Sequence, residues 1–301
     1  MASTEAKARK RRQVLWSYVF ITPQLLLYLG LFVVPLIIAL PLIFSDQLNF
    51  TDNGEFIGLG NFRELFGDEQ VRSIYVNALL RTLAFTVVNY VVVMSLGFLL
   101  ALAIYEIGFR GTFFTVIFLP YMFSGFAIGV LALMLFSEGT GVINLLLQEL
   151  GIIDTPIGFK TPAGSLVVLP TLVAWRMAGF FMAIFLTGLL AIPVETIEAA
   201  EVDGASYFQR VRLVYLPQMK AAFLIATTFA IISAFNVFDE LIALGALFQN
   251  RAIEFLSIVV FKFGFLSNRL ALGMTIAVVT FVPLAFGGWL LQRQQRRISN
   301  E

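Results

Sequence analysis

Six long apolar runs fix what this chain can fold into. A helix that crosses the hydrocarbon core of a bilayer needs about 20 mostly apolar residues. Runs of that kind lie at Val14–Phe44, Ile74–Tyr105, Phe113–Phe136, Leu166–Ile192, Ala221–Phe248 and Leu270–Leu291. In lipid the backbone N–H and C=O groups must be paired within the segment, so each run is predicted as a helix. The chain therefore reads as an all-α membrane protein with six transmembrane helices. Of its 301 residues 59% are hydrophobic and 13% charged, well away from soluble-domain usage. The first run is too long for the apolar region of a signal peptide and lacks a clear small-residue cleavage site. It reads as a retained span. Its Pro23, Pro35 and Pro41 predict a tilted or kinked helix.

Composition also removes function classes. A net charge of +1 gives no long-range attraction to nucleic acid. The chain has no cysteine and no histidine. Disulfide, zinc and haem sites lack their usual ligands, and serine or cysteine catalysis lacks its commonest base. The expectation is a non-catalytic chain without a cofactor of its own. It has no Gly-x-x-x-x-Gly-Lys-Ser/Thr loop, so any ATP and Mg would be held by partner subunits.

Charge sets the predicted orientation. With the amino end inside, the inner segments hold Lys7, Arg9, Lys10, Arg11, Arg12, Arg110, Arg210, Arg212, Lys220, Arg293, Arg296 and Arg297. The outer segments hold only Arg63, Arg72, Lys160, Arg251, Lys262 and Arg269. That bias predicts both termini in the cytoplasm. A basic tail over 1–13 then precedes one membrane domain over 14–292, with a second cytoplasmic tail over 293–301. The outer loops are expected at Ser45–Ser73, with a short helix Asn61–Phe66, at Ser137–Gly164, and between the last two spans. They either contact an external protein or simply cap the spans.

The longest polar passage of the second half, Glu195–Gln218, falls between the fourth and fifth runs, on the predicted cytoplasmic side. Pro193 can open a helix there, because its missing N–H costs nothing in the first turn. Gly204 after Asp203 is a helix stop. Ser206 followed by Gln209 is a capping-box pattern that restarts the helix. Pro217 marks the entry to the next apolar run. The passage over 193–220 is thus predicted as a helix–glycine–helix elbow.

The spacing Glu198-Ala199-Ala200, three residues, Gly204, nine residues, Val214, one residue, Leu216-Pro217 resembles the EAA loop of bacterial binding-protein-dependent ABC importer permeases. The string with Asp203-Gly204-Ala205 is similar to the sugar-permease branch, of the maltose and glycerol-phosphate type. Phe56–Phe62, Gly139–Asn144 and Phe235–Asp239 are also similar to segments of that branch, and the resemblance runs from about Trp16 to Arg297. Val214 stands where the family usually has Ile. Gly245–Arg251 lacks the family's frequent Gly-Gly-Pro-rich passage. The ending Gln292–Arg297 lacks the glycine-containing tail of the partner permease. The resemblance implies one half of a heterodimer in a bacterial or archaeal cytoplasmic (inner) membrane, surrounded by lipid. The implied partners are a second permease, two ABC ATPase subunits and an extracytoplasmic solute-binding protein. It implies that Glu198, Ala199, Ala200, Asp203, Gly204, Ser206, Arg210, Leu216 and Pro217 dock the ATPase, and that the cargo is a sugar or related polar solute.

Ionisable residues within spans cost about 2.5–3.5 kcal/mol on insertion scales, which makes them functional candidates. They are Arg81, Arg176 beside Trp175, and the neighbours Asp239 and Glu240 after Asn236. The two acids point about 100° apart on a helix, so they cannot share one path squarely. A sugar path wants aromatic faces and polar side chains. Asn236, Asp239, Trp175, Arg176, Tyr121 and Asn89 supply them. Each has a plainer reading: Arg176 braces the bundle through a carboxylate, Arg81 snorkels to headgroups, and Asn89 joins helices. The competing function is an ion-coupled secondary transporter or channel not driven by ATP, with Asp239 or Glu240 as coupling acid. The proline-rich first span has no counterpart in the fourth, which disfavours an inverted repeat.

Overall fold

The computed structural model describes residues 16–107, 110–158, 161–247 and 251–298. The basic tail 1–13, Lys160, the end of the fifth run at Phe248 and residues 249, 250 and 299–301 lie outside the described residues. Among the described residues the structure is helical, apart from one bridge between Ser45 and Phe56. Five helical stretches there are long and apolar enough to cross a membrane, or six if one sharply bent pair counts as a single span.

Helix α1 spans Trp16–Phe44. Its prolines leave local marks rather than a break. A π-helical turn at Leu29–Val33 precedes Pro35, and a 3-10 turn at Leu40–Phe44 contains Pro41. Most of its side chains are exposed, including Phe20 and Leu31. An apolar helix this bare needs lipid or another protein against it.

The loop after α1 carries α2, Gly60–Gly67. Asn61 is buried and donates to the carbonyls of Ile43 (3.0 Å) and Ser45 (2.7 Å), which ties α2 to the end of α1. Helix α3 covers Glu69–Glu106, starting before the predicted Ile74 because Asp68 caps it through the Val71 N–H at 2.9 Å.

The third apolar run is not one straight helix. It forms α4, Arg110–Phe118, a 3-10 turn Leu119–Met122, and α5, Gly125–Phe136, with a bend of 92° between the two parts. Pro120 has no N–H to continue the ladder. Phe123 then extends, and Ser124 starts α5 afresh by accepting from the Ala127 N–H at 3.2 Å. In the loop after α5, α6, Val142–Glu149, is held by buried Asn144, which donates to the Ile157 carbonyl and accepts from its N–H.

Helix α7, Pro162–Leu190, is capped by Thr161 and extends one turn before the predicted start. The α3–α7 contact is the most extensive between any two helices. It is close because of Gly97: a Cβ there would meet the Phe181 Cβ at 2.6 Å. Small residues at such crossings let backbones approach and gain dispersion contacts. Phe85, Val93, Phe181, Phe185 and Leu189 fill the core on either side.

After the elbow the fifth run also departs from prediction. Helix α10, Lys220–Phe235, stops at Asn236, and α11 restarts at Asp239–Ala243. Gly245 at φ +79° then turns the chain. The predicted third outer loop contains a buried helix instead. A 3-10 turn Arg251–Ile253 leads to α12, Leu256–Phe261, which continues as a π-helical turn Lys262–Leu266. Leu256, Ile258 and Val259 are buried, the first and last in a second core with Leu65, Tyr75 and Ile276. Helix α13, Leu270–Ile298, runs past the predicted end at Leu291. Its first N–H groups, Leu270 and Ala271, donate to the Leu48 and Gln47 carbonyls at 3.0 Å, so the loop after α1 caps the last helix.

The glycine crossing gives the first prediction. Gly97→Val should destabilise the detergent-solubilised protein by about 1–3 kcal/mol or more through overpacking against Phe181. Thermal unfolding beside the wild type measures this, and an unchanged midpoint would refute the close-crossing account.

Candidate functional site

The elbow is built from local bonds. Helix α8, Val194–Val202, begins just after Pro193, which is its N-cap rather than its first helical residue. It ends in a Schellman arrangement: the Ala205 N–H donates to the Ala200 carbonyl and the Gly204 N–H to that of Glu201, both at 3.0 Å. Gly204 takes φ +78°, a conformation that glycine adopts without the Cβ penalty of other residues. Helix α9, Tyr207–Arg210, opens with the full capping box: the Ser206 N–H donates to Gln209 Oε1 at 2.7 Å and Ser206 Oγ accepts from the Gln209 N–H at 3.4 Å. The chain continues through a π-helical turn, Val211–Tyr215, and a short turn, Leu216–Gln218, into α10.

Glu198, Ala199, Asp203, Gly204, Ser206, Leu216 and Pro217 are exposed on this elbow, and Ala200 is half-buried. Two apolar side chains beside Gly204 stand out further: Val202 is 88% exposed and Phe208 77%. Sequence reasoning passed over both, because it weighted the polar residues of the motif. Arg210 is turned inward. It pairs with Glu201, stacks over the Tyr207 ring at 5.8 Å and lies close enough to the Tyr215 hydroxyl to act on it electrostatically. Tyr215 is buried and meets Tyr105, at the end of α3, edge to face at 6.1 Å. Burial pushes the Tyr215 hydroxyl above its ordinary pKa; Arg210 opposes this, while Glu106 and Tyr105 add to it. Burial and then Glu106 raise Tyr207 likewise. Arg210 thus clasps α8 to α9, and Tyr215 joins the elbow to α3. Glu201, Tyr215 and Tyr105 were legible only as ordinary loop and helix-end residues.

The Arg176–Glu240 contact brings Arg176 and its neighbour Trp175 on α7 to the segment that carries Asn236 and Asp239. Arg176 meets Glu240 at 2.8 Å, with side-chain exposures of 20% and 5%. The bracing role, rather than a free path charge, describes that arginine. Glu240 is seated against α5 where glycine leaves room: a Cβ on Gly125 would meet its carboxylate at 2.8 Å. Tyr121 stacks on Phe180 at 5.1 Å, and Phe180 meets Phe229 edge-on at 5.3 Å, so three elements share an aromatic ladder. Asn89 is buried, and neither atom of its amide has a hydrogen-bond partner among the described residues. Trp175 and Asp239 are exposed. Asn236 is exposed too and lines a groove of about 460 Å³ between α10 and α13, with Thr228 and Trp289. None of the other five lines it.

Residues 94–300 match the family model described as the binding-protein-dependent transport system inner membrane component. The chain is 27% identical over 284 residues to the probable starch degradation products transport system permease protein AmyD of Thermoanaerobacterium thermosulfurigenes, covering 93% of each chain. It is 28% identical over 267 residues to the sn-glycerol-3-phosphate transport system permease protein UgpA of Agrobacterium fabrum, covering 88% of this chain and 89% of that one. Among solved structures, it is similar in fold to a chain of a bacterial ABC transporter involved in the import of the acidic polysaccharide alginate. There the TM-score is 0.77 at 22% identity, over 98% of this chain and 99% of that chain.

The buried ion pair yields a prediction. Removing one partner leaves a buried charge uncompensated, at a cost of about 3–5 kcal/mol, whereas replacing both with apolar residues is often neutral. Glu240→Ala should therefore lower the thermal midpoint sharply, and Arg176→Met with Glu240→Leu should recover most of it. Equal loss in the single and double variants would show that shape, not charge, matters there.

Proposed function

The chain belongs to the family of binding-protein-dependent transport system inner membrane components, and from that premise we propose that it forms half of the translocation path of an ATP-driven sugar importer. The permeases it resembles are named for starch degradation products and for sn-glycerol 3-phosphate, which supports a sugar or a related polar solute as cargo. Family membership favours this reading over an ion-coupled carrier. The same premise makes it a multi-pass protein of the inner membrane.

The observation that carries the mechanism is the clasped elbow. In this reading 193–220 lies in the cytoplasm with both termini, and Val202, Phe208 and the face of Glu198, Ala199 and Ala200 enter a groove on an ABC ATPase. Asp203, Ser206, Leu216 and Pro217 border that contact. Arg210 stiffens the elbow from within instead of reaching across. ATP and Mg sit on two ATPase subunits, since this chain has no phosphate-binding loop. When the ATPases close, the elbow moves as a unit. The Schellman turn, the capping box and Arg210 prevent the motion from being absorbed within the loop. Tyr215 passes it to α3, and the packed α3–α7 pair tilts. A second permease supplies the other wall of the path, so Asn236, Asp239 and Trp175, exposed in this chain, face the solute or the partner. An extracytoplasmic binding protein delivers the solute to the opposite side.

Purification of the tagged chain from native membranes should recover a second permease and a P-loop ATPase. Gly204→Pro forces φ to about −65° where the turn needs a positive value. Phe208→Asp places a charge in the docking face. Both should abolish ATPase recovery while leaving the chain in the membrane. Recovery of the chain alone from wild-type membranes would overturn the importer reading. Because the chain lacks cysteine, single cysteines at positions 140 and 208 test orientation directly. Impermeant maleimide applied outside should label the first and spare the second.

A further inference from the structure

At the far end of α3 from the elbow lies a cleft of about 480 Å³ with an unusual lining for a membrane domain. One wall is a polar stripe on α3: Gln70, Ser73, Asn77 and Arg81, spaced so that they share a face. The other wall carries Arg251 and Glu254, from the 3-10 turn and the residues after it, and Lys262. Lys262 is paired with Glu254 at 2.5 Å. Neither Arg81 nor Arg251 has a carboxylate partner among the described residues. The cleft therefore presents two uncompensated guanidinium groups, one of them about 18 Å along α3 from its start, at about 1.5 Å per residue.

The walls are fixed to each other. The Leu256 N–H donates to Thr82 Oγ1 at 3.0 Å, both in the interior, one residue from Arg81. Phe255 packs on Phe85 at 5.2 Å. Ser257 donates to the Val237 carbonyl at 2.7 Å. The first two contacts hold the segment bearing Arg251 against the stripe bearing Arg81, so both cations line one cleft. An anion in that cleft would be attracted by both. Guanidinium offers a planar fork that matches phosphate and carboxylate oxygens in pairs. Asn77 and Ser73, 3.2 Å apart, and Gln70 line the same stripe with groups suited to hydroxyls.

We propose that this cleft is an anion site, and that it selects a hydroxylated solute bearing a phosphate or a carboxylate: a sugar phosphate, a polyol phosphate or a sugar acid. The assignment rests on the importer reading, which puts the cleft on the external side, where solute enters. Arg81 lies about 36 Å along α3 from Tyr105, at about 1.5 Å per residue, and so across the membrane from the elbow. The same oxyanion chemistry is found in lipid headgroups, and the test separates the two sources.

The full chain, purified with whatever subunits accompany it, is placed in nanodiscs of phosphatidylcholine. Binding of radiolabelled glucose 6-phosphate, glucuronate and glucose is then measured. The two anions should bind about tenfold more tightly than glucose, and Arg81→Gln or Arg251→Gln should each remove about that factor for the anions alone. Arg251 is exposed, so its variant should elute as the wild type does. Equal binding of glucose and the anions, or anion binding indifferent to both substitutions, overturns the proposal. Phosphatidylglycerol that co-purifies from native membranes with the wild type but not with the double variant, without solute binding, overturns the solute assignment and gives the site to lipid. Recovery of an ATPase with no anion preference removes only the substrate class. Arginine-dependent anion binding without any ATPase removes only the importer.

Discussion

The structure depends on the crossing of α3 and α7. Helix α3 runs from Glu69 to Glu106, about 57 Å at about 1.5 Å per residue, longer than the bilayer core is thick. Without a hydrophobic drive between helices in lipid, such a rod is held by close packing. Gly97 against Phe181 supplies the closest point, and the phenylalanines around it fill the space on either side. Helix α10 packs along its middle, where the Tyr90 and Thr227 hydroxyls are 3.0 Å apart, and two further elements attach near its ends. The elbow reaches its carboxyl end through Tyr215 and Tyr105, and the segment from Arg251 to Leu256 binds near its amino end through Thr82. A stiff rod with a contact at each end is the physical requirement for joining chemistry on one side of a membrane to access on the other.

Two helices break inside the membrane domain, and the breaks face each other. The turn between α4 and α5 follows Pro120, and the turn between α10 and α11 follows Asn236. Non-helical backbone at this depth survives only where protein or a wet cavity satisfies it. Ser124 and the Ser257 hydroxyl, which donates to the Val237 carbonyl, do part of that work. Glu240 begins the restarted helix, close to α5, and holds Arg176 of α7. The ion pair therefore joins one broken segment to the unbroken rod pair. Broken helices that meet at a charged pair can pivot as bodies, whereas continuous helices would have to bend.

The elbow was the most legible part of the sequence because its signals are local. Ser206 and Gln209 are three residues apart, and Gly204 needs only its own φ, so neither depends on the rest of the fold. The six runs were legible as apolar mass, but hydropathy carries no direction. The count does not register that Pro120 and Ser124 turn the chain by 92°, or that α10 stops at Asn236. The segment Leu256–Leu266 was missed for a related reason. Its apolar stretch is too short to span, and Arg251, Lys262 and Arg269 around it read as solvent charges. In the fold Lys262 finds Glu254 and Arg269 finds Glu64. Which of Asp239 and Glu240 points inward depends on the glycine face of α5, more than a hundred residues earlier in the chain.

Arg210 shows why a motif fixes residue types more firmly than residue roles. In the sequence it is a long basic side chain in an exposed loop, and a contact with another protein is the natural assignment. In the fold Glu201 pairs with its guanidinium, the Tyr207 ring lies beneath it and Tyr215 is close by. In the proposed coupling role the elbow needs internal stiffness as much as a surface to push on. Polar residues within the elbow are well suited to the first task, because charge-assisted bonds are directional and resist bending. The apolar tips at Val202 and Phe208 suit the second, because burying them in a groove is favourable without any fixed geometry. The division of labour follows from the chemistry: the directional contacts point inward and the non-directional ones point outward.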